Sequence, residues 1–331
     1  MQKISILANV QIKKRVVFLE SHFEALRKLG DLHVYDRDNF DDEEYILDFI
    51  KDSDVIFTTW GSPRISKKIL DVCPNLKAVI HAAGSVKGVV DESFAERGIR
   101  VTSAAKELSR GVAETTLGAA IAACKGMFVL PEQTRAGLWR ENYDIVKDFY
   151  GIKIGVISAG MAGRAFIKLL QGFVVDVLVY DPTLSAEQIR ELGGEKREFE
   201  DLLRESDVIS IHAPNIPATD NMFNAGNLHL IKDGAVIINT ARPNVIDDEA
   251  FIEELRKNRF MAVLDVTHPE PTAPDHPYRT LPNVVLFPHI AGAANNGCTR
   301  MATYAVEEAE RYFRGEKMES EIDLAKLSTL A

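Results

Sequence analysis

At 331 residues the chain is long enough for two domains of ordinary size, each able to bury a core of its own. The net charge of −10 argues against nonspecific nucleic-acid or anionic-membrane binding, which needs a basic face, and leaves room for a local positive pocket that takes a small anion. Cys73, Cys124 and Cys298 are widely spaced, odd in number and form no Cys-x-x-Cys pair, a pattern that predicts reduced packing thiols in a cytoplasmic protein.

Along the first hundred residues, Ile4 to Val10, Leu32 to Tyr35, Val55 to Thr59, Ala78 to Ala82 and Ile99 to Thr102 read as strands. Helical patterns fill the gaps at Val17 to Leu29, Glu43 to Lys51, Ser66 to Val72 and Glu92 to Arg97. Met1 to Val10 is too short an apolar run for a secretion signal and lacks a basic leader. A long helix is expected from near Gly111, stopped or kinked at Pro131. Its stretch Val112 to Leu130 is interrupted by Glu114 and Lys125, and its alanines suit close packing against protein better than a membrane.

A second series begins at Lys153, with strands near Ile154 to Ile157, Asp176 to Tyr180, Val208 to His212, Ala235 to Asn239, Ala262 to Val266 and Val284 to Phe287. Strand and helix alternation of this kind predicts an α/β fold of two doubly wound parallel sheets, each covered on both faces. The last helical pattern, Thr299 to Arg314, follows a completed second series and is free to return to the first domain. The expected organisation is therefore discontinuous, with residues 1–107 and 296–331 in one domain and residues 108–295 inserted as the other.

The segment Ile154 to Gly163, followed by a helical pattern and then Val177-Leu-Val-Tyr-Asp181, outlines a dinucleotide-binding βαβ unit. Ser158, Gly160 and Gly163 form a turn small enough for a pyrophosphate to approach, and Met161 and Ala162 open the helix whose amides would meet it. Asp181 would accept hydrogen bonds from the adenosine ribose and repel a 2′-phosphate. No arginine follows it in Pro182-Thr-Leu-Ser185, so NAD(H) is expected over NADP(H).

Ligands of open parallel sheets bind beyond the carboxyl ends of the strands. Arg242, Glu270 and His289 all follow strands of the second series on that rim. They make a sensible set for hydride transfer to a 2-oxo acid: a guanidinium to hold the carboxylate through two hydrogen bonds, an imidazole as proton donor, and a carboxylate to orient it. Taken singly, each also suits a bland role: a surface arginine, a loop carboxylate, a capped core histidine. A metal site built from His268, Glu270, His276 and His289 is drawn less well, since no helical His-x-x-x-His or cysteine pair supports it.

With these residues in view the chain resembles the D-isomer-specific 2-hydroxyacid dehydrogenase family over most of its length. "VISAGMAGR" with "VYDP" resembles the family's nucleotide fingerprint, and "LLRESDVISIHAPNIPAT" the segment lining the cofactor cleft. "INTARPNVIDDEAF", "LDVTHPEP" and "LPNVVLFPHIAG" resemble its arginine, glutamate and histidine motifs. The resemblance implies a flavodoxin-like substrate domain and an inserted Rossmann NAD-binding domain. It implies that Arg242 binds the substrate and that His289 is the acid/base with Glu270 as partner. Asp265, Thr240 and Ala241 would sit near the nicotinamide, with His212, Pro214 and Thr219 along the cofactor cleft. "HAAGSVKGVVDESFAERGIRVTSAA" is similar to the loop whose amides hold the substrate carboxylate, through Ala83, Gly84 and Ser85, and Trp60-Gly61 resembles the other substrate loop.

Three departures stand out: Ser158 replaces the usual first glycine, Pro243 the glycine usual after the arginine, and the loop Gly84 to Asp91 departs from the common glycine spacing. The expected activity is NAD-dependent interconversion of a 2-oxo acid and a D-2-hydroxy acid. The rival is an NAD(H)-sensing, corepressor-like protein of the same fold without useful turnover. Formate oxidation is disfavoured by a glutamate in place of a glutamine partner for the histidine. The small-residue helix resembles the family's dimer element, so a homodimer is expected.

Overall fold

The computed structural model describes residues 2–8, 17–91, 93–141 and 143–329. The chain divides into two compact units, one running to Leu108 and resuming at Ala293, the other spanning Ser109–Gly292. The first unit contains β1 (Lys3–Leu7), α1 (Glu20–Leu29), β2 (Asp31–Val34), α2 (Glu43–Ile50), β3 (Val55–Thr58), α3 (Lys67–Val72), β4 (Ala78–His81), α4 (Ser93–Glu96) and β5 (Arg100–Ser103). A long helix, α5 (Ala105–Cys124), spans the boundary, followed by α6 (Leu130–Arg135). The second unit continues with β6 (Tyr150–Ile157), α7 (Met161–Leu170), β7 (Val174–Tyr180), α8 (Ala186–Glu191), β8 (Glu195–Lys196), α9 (Phe199–Glu205) and β9 (Val208–Ile211). It closes with β10 (Val236–Asn239), α10 (Asp248–Arg256), β11 (Met261–Leu264) and β12 (Val284–Leu286), and α11 (Asn296–Phe313) belongs again to the first unit.

Both sheets are parallel. The first has the order β2-β1-β3-β4-β5, the flavodoxin-like arrangement. The second runs β12-β11-β10-β9-β6-β7-β8, the doubly wound nucleotide-binding order with one added edge strand. Its central strands are apolar on both faces because each face carries its own core. Ile237 of β10 packs with Ile209 and Ile211 on one side, while Val236 and Ile238 pack with Ile154 and Val156 on the other. The first sheet repeats the pattern, with Ile56 facing one cluster and Val55 and Phe57 the other. Burying both faces is what makes such strands legible as continuous apolar runs.

Several boundaries differ from expectation. The expected first strand reached Val10, and its last residues, Asn9 and Val10, lie outside the described residues, as does Glu92 of the fourth helical pattern. Helix α5 begins at Ala105 rather than near Gly111, because the polar residues Lys106, Glu107 and Arg110 continue the helix ahead of the apolar stretch. It ends at Cys124 rather than at Pro131. Gly126 takes φ +65°, its amide donates to Ala123 O and that of Met127 to Ala122 O, a Schellman closure that only a residue tolerant of the left-handed region makes easily. Pro131 instead lies in the first turn of α6, where its missing N–H costs nothing. Among the described residues no helix is long and apolar enough to cross a membrane.

Candidate active site

The turn after β6 is built as a close approach to an anion requires. A Cβ at Gly163 would stand 2.1 Å from Ser158 O, so only glycine lets α7 start this close to the strand end. A Cβ at Gly160 would meet nothing within 4 Å, so glycine there keeps open the space into which a phosphate would come. Met161 and Ala162 are the first residues of α7, whose opening amides have no partner within the helix. Ser158, the departure from the glycine pattern, keeps a left-handed φ of +73° despite its Cβ.

Asp181 directly follows β7 beside this turn, 5% exposed. Its Oδ2 accepts from Ala159 N at 2.9 Å, and its Oδ1 from Thr183 N at 2.8 Å and Thr183 Oγ1 at 2.6 Å. Burial works to raise its pKa. The Thr183 and Ala159 hydrogen bonds, helped by the Arg164 charge, outweigh burial and hold the carboxyl below its ordinary value. These bonds carry no sequence signal, since their donors are mostly backbone amides.

His212 follows β9 and is buried against Phe166. Nε2 pairs with Ser210 Oγ at 2.9 Å while Nδ1 has no hydrogen-bond partner, and burial pulls the imidazole down to about 4, so it is neutral near pH 7. In the loop beyond it, Thr219 Oγ1 donates to Pro214 O at 2.5 Å, closing the loop on itself. Buried Thr240 pairs through its hydroxyl with Thr116 of α5 at 2.9 Å.

The three acid–base and anion-binding candidates come together on the carboxyl rim of the second sheet. His289 Nδ1 lies 2.7 Å from Glu270 Oε2, and Glu270 Oε1 accepts from Thr267 N at 3.1 Å. Burial raises the Glu270 pKa, but the hydrogen bond with His289, the Thr267 amide and the charges of His289 and Arg242 together bring it below its usual value. An ionised Glu270 can only accept, so the Nδ1 proton of His289 points to it and Nε2 faces away. Both side chains are partly exposed.

Arg242 is half-buried and held by its backbone. Asn239 accepts from Ala241 N at 3.1 Å through Oδ1 and donates through Nδ2 to Arg242 O at 2.9 Å. Pro243 opens a short 3-10 turn, Pro243–Val245, at a position that needs no amide donor, so the lost glycine is accommodated. Asp265 is 1% exposed, and its two carboxylate oxygens accept from Ile290 N at 2.8 Å and Ala291 N at 2.9 Å. Those are the two amides that follow His289, whose own φ is +53°. Asp265 therefore fixes the backbone that aims the imidazole, a role its place in the sequence does not announce; sequence reasoning passes over Asn239 altogether.

In the first unit, Ala83, Gly84 and Ser85 follow β4 at the carboxyl end of its sheet. Ala83 O accepts from Ala104 N at 3.0 Å, and Gly84 is packed so that a Cβ would meet Leu108 Cδ2 at 2.6 Å. Ser85 is exposed, and the Trp60-Gly61 pair follows β3 on the same rim, with Gly61 at φ +75°.

The family model described as D-isomer specific 2-hydroxyacid dehydrogenase, NAD binding domain, matches residues 117–291. A glyoxylate reductase of Aeropyrum pernix is 30% identical over 91% of this chain and 92% of its own length. A D-3-phosphoglycerate dehydrogenase of Methanocaldococcus jannaschii is 29% identical over 86% of this chain; the match spans 54% of that protein, about half its length. Among solved structures, a protein from Thermus thermophilus superposes with a TM-score of 0.75 at 28% identity, covering 97% of this chain and all of its own.

Proposed function

The chain belongs to the D-isomer specific 2-hydroxyacid dehydrogenase family, and from that premise we propose that it interconverts a small 2-oxo acid and its D-2-hydroxy acid, with His289 as acid and base. The observation that carries this reading is the 2.7 Å pair of His289 and Glu270, with the Arg242 charge acting on the same carboxylate. NAD(H), when bound, supplies or takes up the hydride at the carbon that bears the reacting oxygen.

The chain's own residues divide the remaining work. Ser158 to Gly163 and the start of α7 would hold the pyrophosphate, and Asp181, His212, Pro214, Thr219, Thr240 and Ala241 would border the dinucleotide. Arg242 grips the substrate carboxylate and turns the carbonyl toward His289. During reduction, Nε2 of protonated His289 donates to the carbonyl oxygen. In the reverse direction it takes the hydroxyl proton. Glu270 stays a carboxylate throughout and orients the ring through the bond to Nδ1. Ala83, Gly84 and Ser85 are proposed substrate-binding residues of the first unit, after β4 at the carboxyl end of its own sheet.

Glyoxylate heads the substrates to try, after the relative named glyoxylate reductase, and other 2-oxo acids follow. Glyoxylate, hydroxypyruvate, pyruvate, phenylpyruvate and larger 2-oxo acids are assayed with NADH and NADPH, and at least one is expected to turn over with NADH. Tight NADH binding with no turnover on any of them would overturn the reading in favour of a sensor.

Arg242→Lys keeps the charge and loses the two-pronged grip. We expect the KM for the preferred 2-oxo acid to rise about ten- to a hundredfold, with NADH affinity little changed. An unmoved KM in steady-state kinetics would remove Arg242 from the site.

We also propose that the protein is cytoplasmic and a homodimer. Met127, Trp139, Tyr143 and Tyr150, exposed on the stretch that follows α5, are the kind of surface a second copy would cover, and light scattering on the purified protein tests it.

A further inference from the structure

We propose that Asp181 is a positioning residue for the dinucleotide turn: its carboxylate straps the end of β7 to the turn after β6 and sets the affinity for either nicotinamide cofactor. The inference rests on the turn being the dinucleotide site and adds to Asp181 a role distinct from discrimination at the ribose.

The bonding accounts for the strap. An ionised carboxylate has about four acceptor positions, and three are taken here, by Ala159 N on the buried side and by Thr183 N and Thr183 Oγ1 on the outer side. Consecutive residues of the turn are tied to consecutive residues at the end of β7: Ser158 N donates to Tyr180 O at 2.8 Å, and Ala159 N to Asp181. Arg164 adds a third tie, with Nε donating to Ala159 O at 2.8 Å.

What needs holding is Ser158. Its φ of +73° is natural for glycine and unfavourable for a residue with a Cβ, and its carbonyl is the atom against which Gly163 packs. A relaxed Ser158 would move that carbonyl and with it the first turn of α7, where the phosphates would be met. A strained turn of this kind persists only when its surroundings over-determine it. Asp181 and Thr183 are that surrounding.

The consequence concerns cofactor choice. A carboxylate here discourages a 2′-phosphate, so its removal is the obvious way to seek NADPH use. Because the same carboxylate holds the turn, Asp181→Asn loses the strap together with the charge: its amide nitrogen would face the Ala159 or Thr183 donors. NADH affinity falls without a gain for NADPH.

Thr183→Val separates the two roles, since the exposed Thr183 hydroxyl holds Asp181 from outside while the charge stays. Melting of the cofactor-free protein and dissociation constants for NADH and NADPH are measured for Thr183→Val, Asp181→Asn and Thr183→Val combined with Ser158→Gly. Thr183→Val is expected to lower the melting temperature and weaken both cofactors about three- to tenfold with their ratio unchanged. Adding Ser158→Gly should restore both readings, because glycine holds the turn unaided. Tighter NADPH binding by Asp181→Asn at unchanged melting temperature, or a shifted cofactor ratio in Thr183→Val, overturns the strap. Melting and affinities both unmoved in Thr183→Val also overturn it. A lowered melting temperature with both affinities unmoved overturns the strap's hold on cofactor affinity, whereas no NADH or NADPH binding by the unsubstituted protein overturns instead the placement of the dinucleotide on this turn.

Discussion

His289→Ala is expected to lower turnover by about two to four orders of magnitude, the range for losing a positioned general acid, while NADH affinity stays within about twofold. The separation follows from geometry. His289 lies on the loop beyond β12 with its ring on Glu270, whereas the phosphate turn and Asp181 lie after β6 and β7. Rapid-mixing turnover with a saturating 2-oxo acid, paired with NADH titration by fluorescence, reads the two effects independently. Full turnover by the alanine variant would defeat the assignment. Asp265→Ala makes the complementary case. It deletes the acceptors of Ile290 N and Ala291 N, leaving these amides unpaired at a site where the backbone already holds a left-handed histidine. Turnover should fall with His289 intact, as positioning requires.

The strands of both units were readable because a parallel sheet buried on both faces needs apolar runs, and Val208–Ile211 or Val236–Asn239 can be little else. One edge strand and the start of the long helix were not. Strand β8 is only Glu195–Lys196, two polar residues paired at the sheet margin with β7, and carries no apolar signal. The start of α5 hid behind Lys106, Glu107 and Arg110, because an apolar stretch marks where a helix is buried and not where it begins.

The same division applies to the candidate site. Arg242, Glu270 and His289 could be picked out because chemistry that needs a cation, a carboxylate and an imidazole finds them after consecutive strands. The residues that aim them act through backbone amides distant in sequence. Asp265 reaches Ile290 and Ala291 across 25 and 26 positions, so no spacing rule announces those bonds.

Acid should destabilise each unit well before its carboxylates titrate. Each unit buries a neutral imidazole whose pKa burial lowers to about 4: His81 in the first, with Nδ1 on Thr58 Oγ1 at 2.8 Å, and His212 in the second. Burial shifts His22 of the first unit in the same direction. At pH 7 the folded form binds no proton and the unfolded form is mostly neutral, so these groups affect stability little. Below the unfolded value near 6.5 the unfolded chain takes a proton that the native state refuses, so stability falls by roughly 1.4 kcal/mol per pH unit for each such histidine. The loss ends near pH 4, where the native imidazole protonates too, and amounts to about 3 kcal/mol per histidine. Against the stability of an ordinary domain, roughly 5–15 kcal/mol, that is a large fraction. Only then do Asp181, Asp207 and Glu270 contribute. Their native pKa values are lowered, so their stabilisation is complete above the unfolded value of about 4 and is lost as pH falls through the lower native values. Urea unfolding at pH 7, 6, 5 and 4 should therefore show a decline that starts between pH 7 and 6. His81→Gln and His212→Gln should each flatten it for the unit that carries the substitution. A stability that stays level from pH 6.5 to 4 in the unsubstituted protein would mean that these imidazoles take up protons in the native state as readily as in the unfolded chain.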